Sequence, residues 1–290
     1  MPKAAVIILN YNSSEDCRKC VSYLKRQQGV ELELILIDNC SSDADKVEIL
    51  CQEQGCTFIA SRENRGYNAG NNIGLRYAAE KGYEYAFVTN PDMEFPQTDY
   101  MAKLIGTMEK DPDIVVIGSD IVTPEGRHQN PLDFLSFWSE FLWPIDLLRC
   151  KLTKKTTSSS LDPTISRYCP MLSGCCIGLR IDFLKRLGFF DENVFLYCEE
   201  PILAHQVKKA GKKLYYLADT QALHRHIKST KGNPYKRMSL LCDSRNYKNK
   251  YHSDYNAFEQ SLLTASHKLR KWIMEILAKQ SQKSNKRSKK

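Results

Sequence analysis

Four apolar runs alternate with stretches of helical spacing through the first ninety residues, and no other feature constrains the fold as strongly. "AAVIILN" (4–10), "LELILID" (32–38), "CTFIAS" (56–61) and "YEYAFVTN" (83–90) read as strands. The first is continuously apolar, as a strand covered on both faces requires. Between them, residues 14–27, 42–55 and 68–82 read as helices; the second opens at Ser42 or Asp43 and closes at Gly55. Short connections between alternating strands and helices imply right-handed crossovers and a mostly parallel sheet flanked by helices, an α/β fold. A fifth unit, helix 97–110 and strand 113–119, continues the pattern. The rhythm then breaks over 120–168, where Pro124, Pro131 and Pro144, the aromatic cluster "FLSFWSEFLW" (134–143) and the polar "KKTTSSS" (154–160) predict a flexible insertion. Regular structure resumes with 171–180, helices near 181–187 and 200–211, and a strand at 212–218.

Composition excludes several classes. In 290 residues no run of about twenty apolar residues occurs, so no spanning helix is expected. "MPKAAVIILNYN" lacks a cleavage site and reads as a first strand, which predicts a cytoplasmic protein. Eleven cysteines are scattered, and Cys17–Cys20 is the one C-x-x-C pair, so a structural zinc site is not expected and reduced thiols are. The net charge is +8, and residues 268–290 carry nine Lys/Arg against Glu275 alone, which leaves the body electrically neutral. A neutral body argues against nucleic acid as a partner.

That basic end is also amphipathic. In "QSLLTASHKLRKWIMEILAKQ" (260–280), Leu262, Ala265, Leu269, Trp272, Ile273, Ile276 and Leu277 share one face, with Lys268, Lys271 and Lys279 off it. "SQKSNKRSKK" follows and reads as disordered. Residues 251–290 are therefore set apart from a body of 1–250. Two readings stand open for them: a peripheral helix on a membrane surface, or a helix docked on the body.

The chemistry gathers where strands end. Polar clusters follow each of the first four: Asn10-Tyr11-Asn12; Asp38-Asn39; Asn64 through Asn72, including Gly66, Asn68 and Gly70; and Asn90-Pro91-Asp92. In a parallel sheet all four lie at one C-terminal edge, where open α/β folds bind ligands. Asp92 alone is compatible with a plain turn; four clusters in register describe a site. A nucleotide suits it: Asp38 accepts from a base or ribose, Tyr11 offers a ring face, and Gly66 and Gly70 allow close backbone approach before a helix. No P-loop and no G-x-G-x-x-G is present. A diphosphate would then need a divalent metal with oxygen ligands, for which Asp92 is placed.

In their order, "VIILNYN", "LILIDNCSSD", "ENRGYNAGNNIG", "FVTNPDMEF", "SGCCIGLR", "GFFDENVFLYCEEPILAHQVKKAGKKL" and "LHRHIKST" resemble the family 2 inverting glycosyltransferases of GT-A fold. The similarity extends over residues 4 to about 230 and is nearest the rhamnosyltransferase-like branch that builds bacterial surface polysaccharides. The resemblance implies a UDP- or dTDP-sugar donor and a glycan or lipid-linked glycan acceptor. It implies Tyr11, Asp38, Asn39 and Asn68 around the nucleotide, and Asp92 in "NPD" as ligand of Mn2+ or Mg2+. Ser173 and Gly174 would frame the acceptor, which the 120–168 insertion could also face. "YCEE" makes Glu200 the general base, with Glu199 as the alternative. His224 is the second implied metal ligand, His226 its rival, and Arg225, Lys228 and Lys231 could meet the diphosphate.

The sequence departs from that family's pattern at two points. Glu200 stands for an Asp, and Ile202 for a further acid. These departures keep a non-catalytic, nucleotide-sugar-binding scaffold of a membrane-associated assembly as the alternative. A nucleotidyltransferase is disfavoured, because "NYNSSED" is acidic where a Gly-rich basic loop would be needed.

Overall fold

The computed structural model describes residues 1–145, 161–225 and 234–287, with backbone alone for 234 and 280–287. The N-terminal half follows the expected alternation: β1 (Lys3–Asn10), α1 (Ser14–Leu24), β2 (Glu31–Asp38), α2 (Ala44–Gln54), β3 (Thr57–Ala60), α3 (Tyr67–Glu80) and β4 (Tyr85–Thr89). β2 and β4 flank β1, and β3 flanks β2, all parallel. The apolar run of β1 is buried on both faces: Val6 and Ile8 join the layer under α1, Ile7 and Leu9 the layer under α3. Cys17 and Cys20 are core residues on the buried side of α1.

The second half departs from simple alternation. After β5 (Met93–Glu94) and α4 (Tyr100–Lys110), β6 (Ile114–Val122) does not pair with β4. β8 (Cys176–Arg180) inserts between them, antiparallel to both. β9 (Lys213–His224) runs parallel to β6, and the short β5 and β7 (Arg167–Cys169) pair antiparallel with it. The sheet order is β3-β2-β1-β4-β8-β6-β9-β5, a mixed sheet whose N-terminal half is parallel. β9 extends six residues beyond the expected strand end at 218, through a register shift opposite Ser119 and Asp120. Antiparallel β8 has a functional consequence: its start, and not its end, lies at the C-terminal edge of β4.

Four helices complete the described chain apart from the short α5 (Phe137–Phe141): α6 (Ile181–Leu187), α7 (Glu199–Lys209), α8 (Pro234–Tyr251) and α9 (Ala257–Arg287). Residues 120–145 and 161–168 of the expected insertion thus include regular structure, in β6, α5 and β7; "KKTTSSS" lies outside the described residues. α9 continues through most of the tail expected to be disordered, and it is docked: Leu263 and His267 are fully buried. Ser266 donates to the Phe141 carbonyl at 3.1 Å, and Lys271 pairs with Asp243 of α8 at 2.7 Å. The predicted apolar stripe points elsewhere. Leu269 and Trp272 are 50% and 59% exposed, and Leu277 is exposed as well. No described helix is long and apolar enough to cross a membrane.

Candidate active site

The C-terminal edge of the sheet collects the predicted residues from five strands. Asn10 and Asp38 are paired in register at the ends of β1 and β2. Both are enclosed, and their polar atoms are used internally. The Asn10 amide donates to Asp38 at 2.8 Å, Ser41 at 2.9 Å and Asp43 at 3.0 Å, while its oxygen accepts from the Ser13 backbone at 3.0 Å. Asp38 accepts from the Ser41 backbone at 3.0 Å and from the Ser41 hydroxyl. Asn10 is thus a brace between the first two loops and not an exposed ligand group, which corrects its expected role. Asn12, at φ 57°, likewise holds Ser42 through its side-chain oxygen at 2.9 Å and 2.6 Å. Tyr11, between the two asparagines, stays 56% exposed with its ring available to a ligand.

The glycine-asparagine segment also differs from expectation. A Cβ on Gly66, at φ 101°, would lie 2.2 Å from the Phe195 carbonyl oxygen, and one on Gly70 would lie 2.6 Å from Leu9. These glycines serve chain-to-chain packing. The neighbouring asparagines act in the same way. Asn72 donates to the Phe190 carbonyl at 2.9 Å and accepts from its N–H at 3.0 Å, and Asn68 donates to the Asp191 carbonyl at 2.7 Å. Irregular backbone needs such partners when buried. α3 therefore staples the 189–198 segment in place ahead of α7. Asn64 holds the turn, accepting from Asn39 at 3.1 Å and from the Gly66 N–H at 2.9 Å. The side-chain oxygens of Asn39 and Asn68 are buried with no donor among the described residues, leaving two acceptors for a ligand's hydroxyl or N–H groups.

Asp92 and His224, separated by more than 130 positions, meet. β5 pairs with the end of β9, Met93 opposite His224, and the Arg225 N–H donates to the Asp92 carbonyl at 3.0 Å. This pairing brings Asp92 Oδ1 to 3.2 Å from His224 Nε2. Behind the ring, His224 Nδ1 contacts Gln129 Oε1 at 2.8 Å and Cys175 Sγ at 3.4 Å. Burial disfavours the His224 charge, but Asp92 and Cys175 outweigh it and lift the imidazole pKa to about 10. The edge is electronegative: burial, then the Asp92 charge, raises Asp16 as well. A divalent cation fits this pair. Ligands held at about 2.1 Å and at right angles stand about 3 Å apart, and Mg2+-type ions take only one or two protein groups beside substrate phosphates and water. No cluster of three or more His, Cys, Asp or Glu exists among the described residues. His226, Lys228 and Lys231 lie outside the described residues. Arg225 turns away from the pair onto Glu94 at 2.5 Å.

The antiparallel entry of β8 brings Ser173, Gly174 and Cys175 to the same edge. The Asn90 N–H donates to the Cys175 carbonyl at 2.8 Å, and the Tyr67 hydroxyl bridges the Gly174 carbonyl at 2.9 Å and Asn90 Oδ1 at 3.2 Å. The Ser173 N–H donates to Asn130 at 2.8 Å. The Gly174 N–H donates to Glu200 Oε1 at 3.2 Å. One loop therefore touches the Asp92–His224 pair through Cys175 and the acidic pair through Gly174. Neither Tyr67 nor Gln129 stood out in the sequence; each acts by linking loops that only the sheet order brings together.

Glu199 and Glu200 open α7 directly after Tyr197 and Cys198, which hold φ 73° and 67°. Two adjacent non-glycine residues in the left-handed region are strained backbone, held by the staples from α3. Glu199 and Glu200 border a small cavity of about 20 Å³, room for one water, and an outer crevice of about 300 Å³. Burial, then the neighbouring Glu200 charge, raises Glu199 to about 8; burial raises Glu200 too, opposed by the helix N–H groups and that of Gly174. The pair retains one proton near neutral pH, with Glu200 the better-stabilised anion. Between about pH 5 and pH 8 the folded state keeps a proton that the unfolded chain has released, so this pair lowers stability as pH rises. Glu199→Gln is expected to match the parent's melting temperature at pH 5 and exceed it at pH 8, by about 1–2 kcal/mol or roughly 2–6 °C. Thermal unfolding at the two pH values checks this.

Comparison with known proteins identifies the lineage. The family model described as Glycosyl transferase family 2 matches residues 5–188. The chain belongs to glycosyl transferase family 2. It is 25% identical over 223 residues to the low-salt glycan biosynthesis hexosyltransferase Agl10 of Haloferax volcanii, covering 76% of this chain and 66% of that protein. It is 23% identical over 254 residues to the N-acetylglucosaminyl-diphospho-decaprenol L-rhamnosyltransferase of Mycobacterium tuberculosis, covering 79% and 78%. The rhamnosyltransferase WbbL of Escherichia coli is 22% identical over 223 residues, covering 76% of this chain and 82% of WbbL. Among solved structures, the mannosyltransferase PcManGT of Pyrobaculum calidifontis, in complex with GDP-Man and Mn2+, superposes with a TM-score of 0.59 at 17% identity, covering 96% of this chain and 74% of that one. GalNAc-T7 with UDP, GalNAc and Mn2+ gives 0.62 at 15% identity, covering 88% and 49%. The family 2 chain thus has the GT-A-like α/β fold with a mixed sheet.

Proposed function

We propose that this family 2 glycosyltransferase moves one hexosyl or deoxyhexosyl unit, with inversion, from a UDP- or dTDP-sugar to a glycan or lipid-linked glycan in surface polysaccharide assembly. The observation that carries the reading is the single loop, 173–175, that contacts both the Asp92–His224 pair and Glu200. A donor diphosphate at the first and an acceptor hydroxyl at the second would be held by one rigid connection. Relatives named as rhamnosyltransferases and a hexosyltransferase support the sugar class. The test is turnover: release of nucleoside diphosphate from UDP-, dTDP- and GDP-sugars with Mn2+ and a glycan or lipid-linked acceptor. Transfer from at least one donor supports the proposal; no transfer from any donor counts against it.

Glu200 takes the proton of the attacking hydroxyl as the acceptor oxygen approaches the anomeric carbon from the face opposite the nucleotide. The Gly174 N–H keeps its carboxylate aimed and ionised, and Glu199 stores the proton that keeps the pair singly charged. Asp92 and His224 would hold Mn2+ or Mg2+, which when bound supplies Lewis-acid neutralisation of the departing diphosphate. Tyr11 and the Asn39 and Asn68 oxygens orient the nucleoside and sugar. Gln129 fixes the ring of His224 by accepting from Nδ1, which leaves Nε2 as the ligand atom. Gln129→Leu is therefore expected to weaken Mn2+ binding about 10–100-fold with little change in melting temperature. Electron paramagnetic titration of free Mn2+ in the presence of UDP measures it.

The same reading puts the enzyme on the cytoplasmic face of a membrane. The exposed Leu269–Trp272–Leu277 stripe of α9, with Lys268 and Lys279 beside it, supports contact with an anionic lipid surface. Sedimentation with phosphatidylglycerol-containing vesicles should fall at least about fivefold in Leu269→Asp/Trp272→Asp and decline with salt.

A further inference from the structure

The outer crevice beside Glu199 and Glu200 carries positive charge that the chemistry above does not use. Leu241, Arg245 and Lys248 stand four and three residues apart on α8, so helical spacing brings all three to one wall. Phe134, Leu135 and Met171 form an apolar wall of the same crevice. Lys248 has a carboxylate partner, Glu140, at 3.3 Å. That carboxylate is heavily subscribed: it also accepts from Asn249 at 2.7 Å and faces His267 Nε2 at 3.3 Å. Arg245 is half-buried and makes no hydrogen bond or ion pair among the described residues. Arg270 lies close enough to feel Arg245 as a like charge, so the single carboxylate of Glu140 is set against Arg245, Lys248 and Arg270 together.

A half-desolvated guanidinium with unspent donors favours an anion, and its planar fork suits the paired oxygens of a phosphate or a carboxylate. Because Glu199 and Glu200 line the crevice, a molecule lying in it would bring its own hydroxyl to the base. We propose that this crevice is the acceptor subsite and that Arg245 selects an acceptor bearing an anionic group close to the accepting sugar, with Phe134, Leu135 and Met171 covering its apolar face. The assignment rests on the transferase reading for the word acceptor; the binding preference itself does not.

The experiment compares N-acetylglucosamine 1-phosphate, glucuronic acid and N-acetylglucosamine as probes of the full chain, by saturation-transfer NMR and calorimetry. A chelator is present so that no metal at Asp92 and His224 recruits the phosphate. The expected result is that a charged probe binds at least about tenfold more tightly than the neutral sugar. Arg245→Gln should erase that preference, Arg245→Lys should retain part of it, and thermal unfolding should show both variants folded. A preference for the phosphate or for the uronic acid identifies the anion, and either supports the subsite. Equal affinity for all three probes, or a preference that survives in Arg245→Gln, overturns it. Donor titrations with Mn2+ are run separately, so failure of the donor reading and failure of the anion subsite are read independently.

Discussion

Glu200→Gln is expected to lower the rate of sugar transfer about 10²–10⁴-fold while leaving donor affinity within about twofold of the parent. The substitution keeps volume and keeps an oxygen to accept from the Gly174 N–H, so the loop that carries Cys175 stays in place. What it removes is the lone anion of the acidic pair. Glu199 is the weaker candidate, because burial and the neighbouring Glu200 charge both favour its protonated form and it lacks the Gly174 contact. The rate of the parent should rise with pH as Glu200 loses its proton, since burial lifts it above the ordinary carboxylate range, and that limb should vanish in the variant. Initial rates at saturating donor, from about pH 5 to pH 9, separate the two. A variant as active as the parent would transfer the role to Glu199 or return the protein to the non-catalytic scaffold.

Asp92→Ala is expected to weaken Mn2+-dependent donor binding at least about 100-fold, roughly 2.7 kcal/mol, and with it transfer. The side chain is one of two donors at the pair, and its loss leaves His224 without its facing carboxylate. Its other consequence is local. The Asp92 carbonyl still accepts from the Arg225 N–H, so the β5–β9 pairing that positions the ring survives. Circular dichroism and melting should change little, and the loss should therefore be read as a loss of ligation. Metal-free binding of the nucleoside, which uses the β1, β2 and α3 end of the site, should be nearly unchanged.

The parallel half of the fold was legible because continuous apolar runs such as Val6–Leu9 have only one economical arrangement, a strand covered by helices on both faces. The position of β8 was not. A short strand of five residues, Cys176–Arg180, reads the same whether it extends a sheet or inserts antiparallel into its middle. Motif order singled out Asp92, His224 and Glu200 as candidates, yet the sequence could not say that β5 would carry Asp92 to His224, since two residues of strand leave no periodicity. The glycine and asparagine cluster has a second role that residue type does not reveal. Gly66 and the Asn68 and Asn72 amides are directed at the 189–198 segment, while the Asn68 oxygen stays without a donor among the described residues. Tyr67 and Gln129 lack any local pattern of their own, and the basic-aromatic stretch 243–251 does not single out Arg245; their significance comes from which segments face one another after folding.

The central claim is that the Asp92–His224 edge binds a sugar nucleotide with the help of a divalent cation. Calorimetric titration of the full chain with UDP-, dTDP- and GDP-sugars, each with and without Mn2+, tests it most directly. The account predicts that one UDP- or dTDP-sugar binds in the presence of Mn2+, that binding falls at least about 100-fold under chelation, and that Asp92→Ala behaves like the chelated parent. Absence of binding by every donor with Mn2+ present, or binding indifferent to both metal and Asp92, would contradict it.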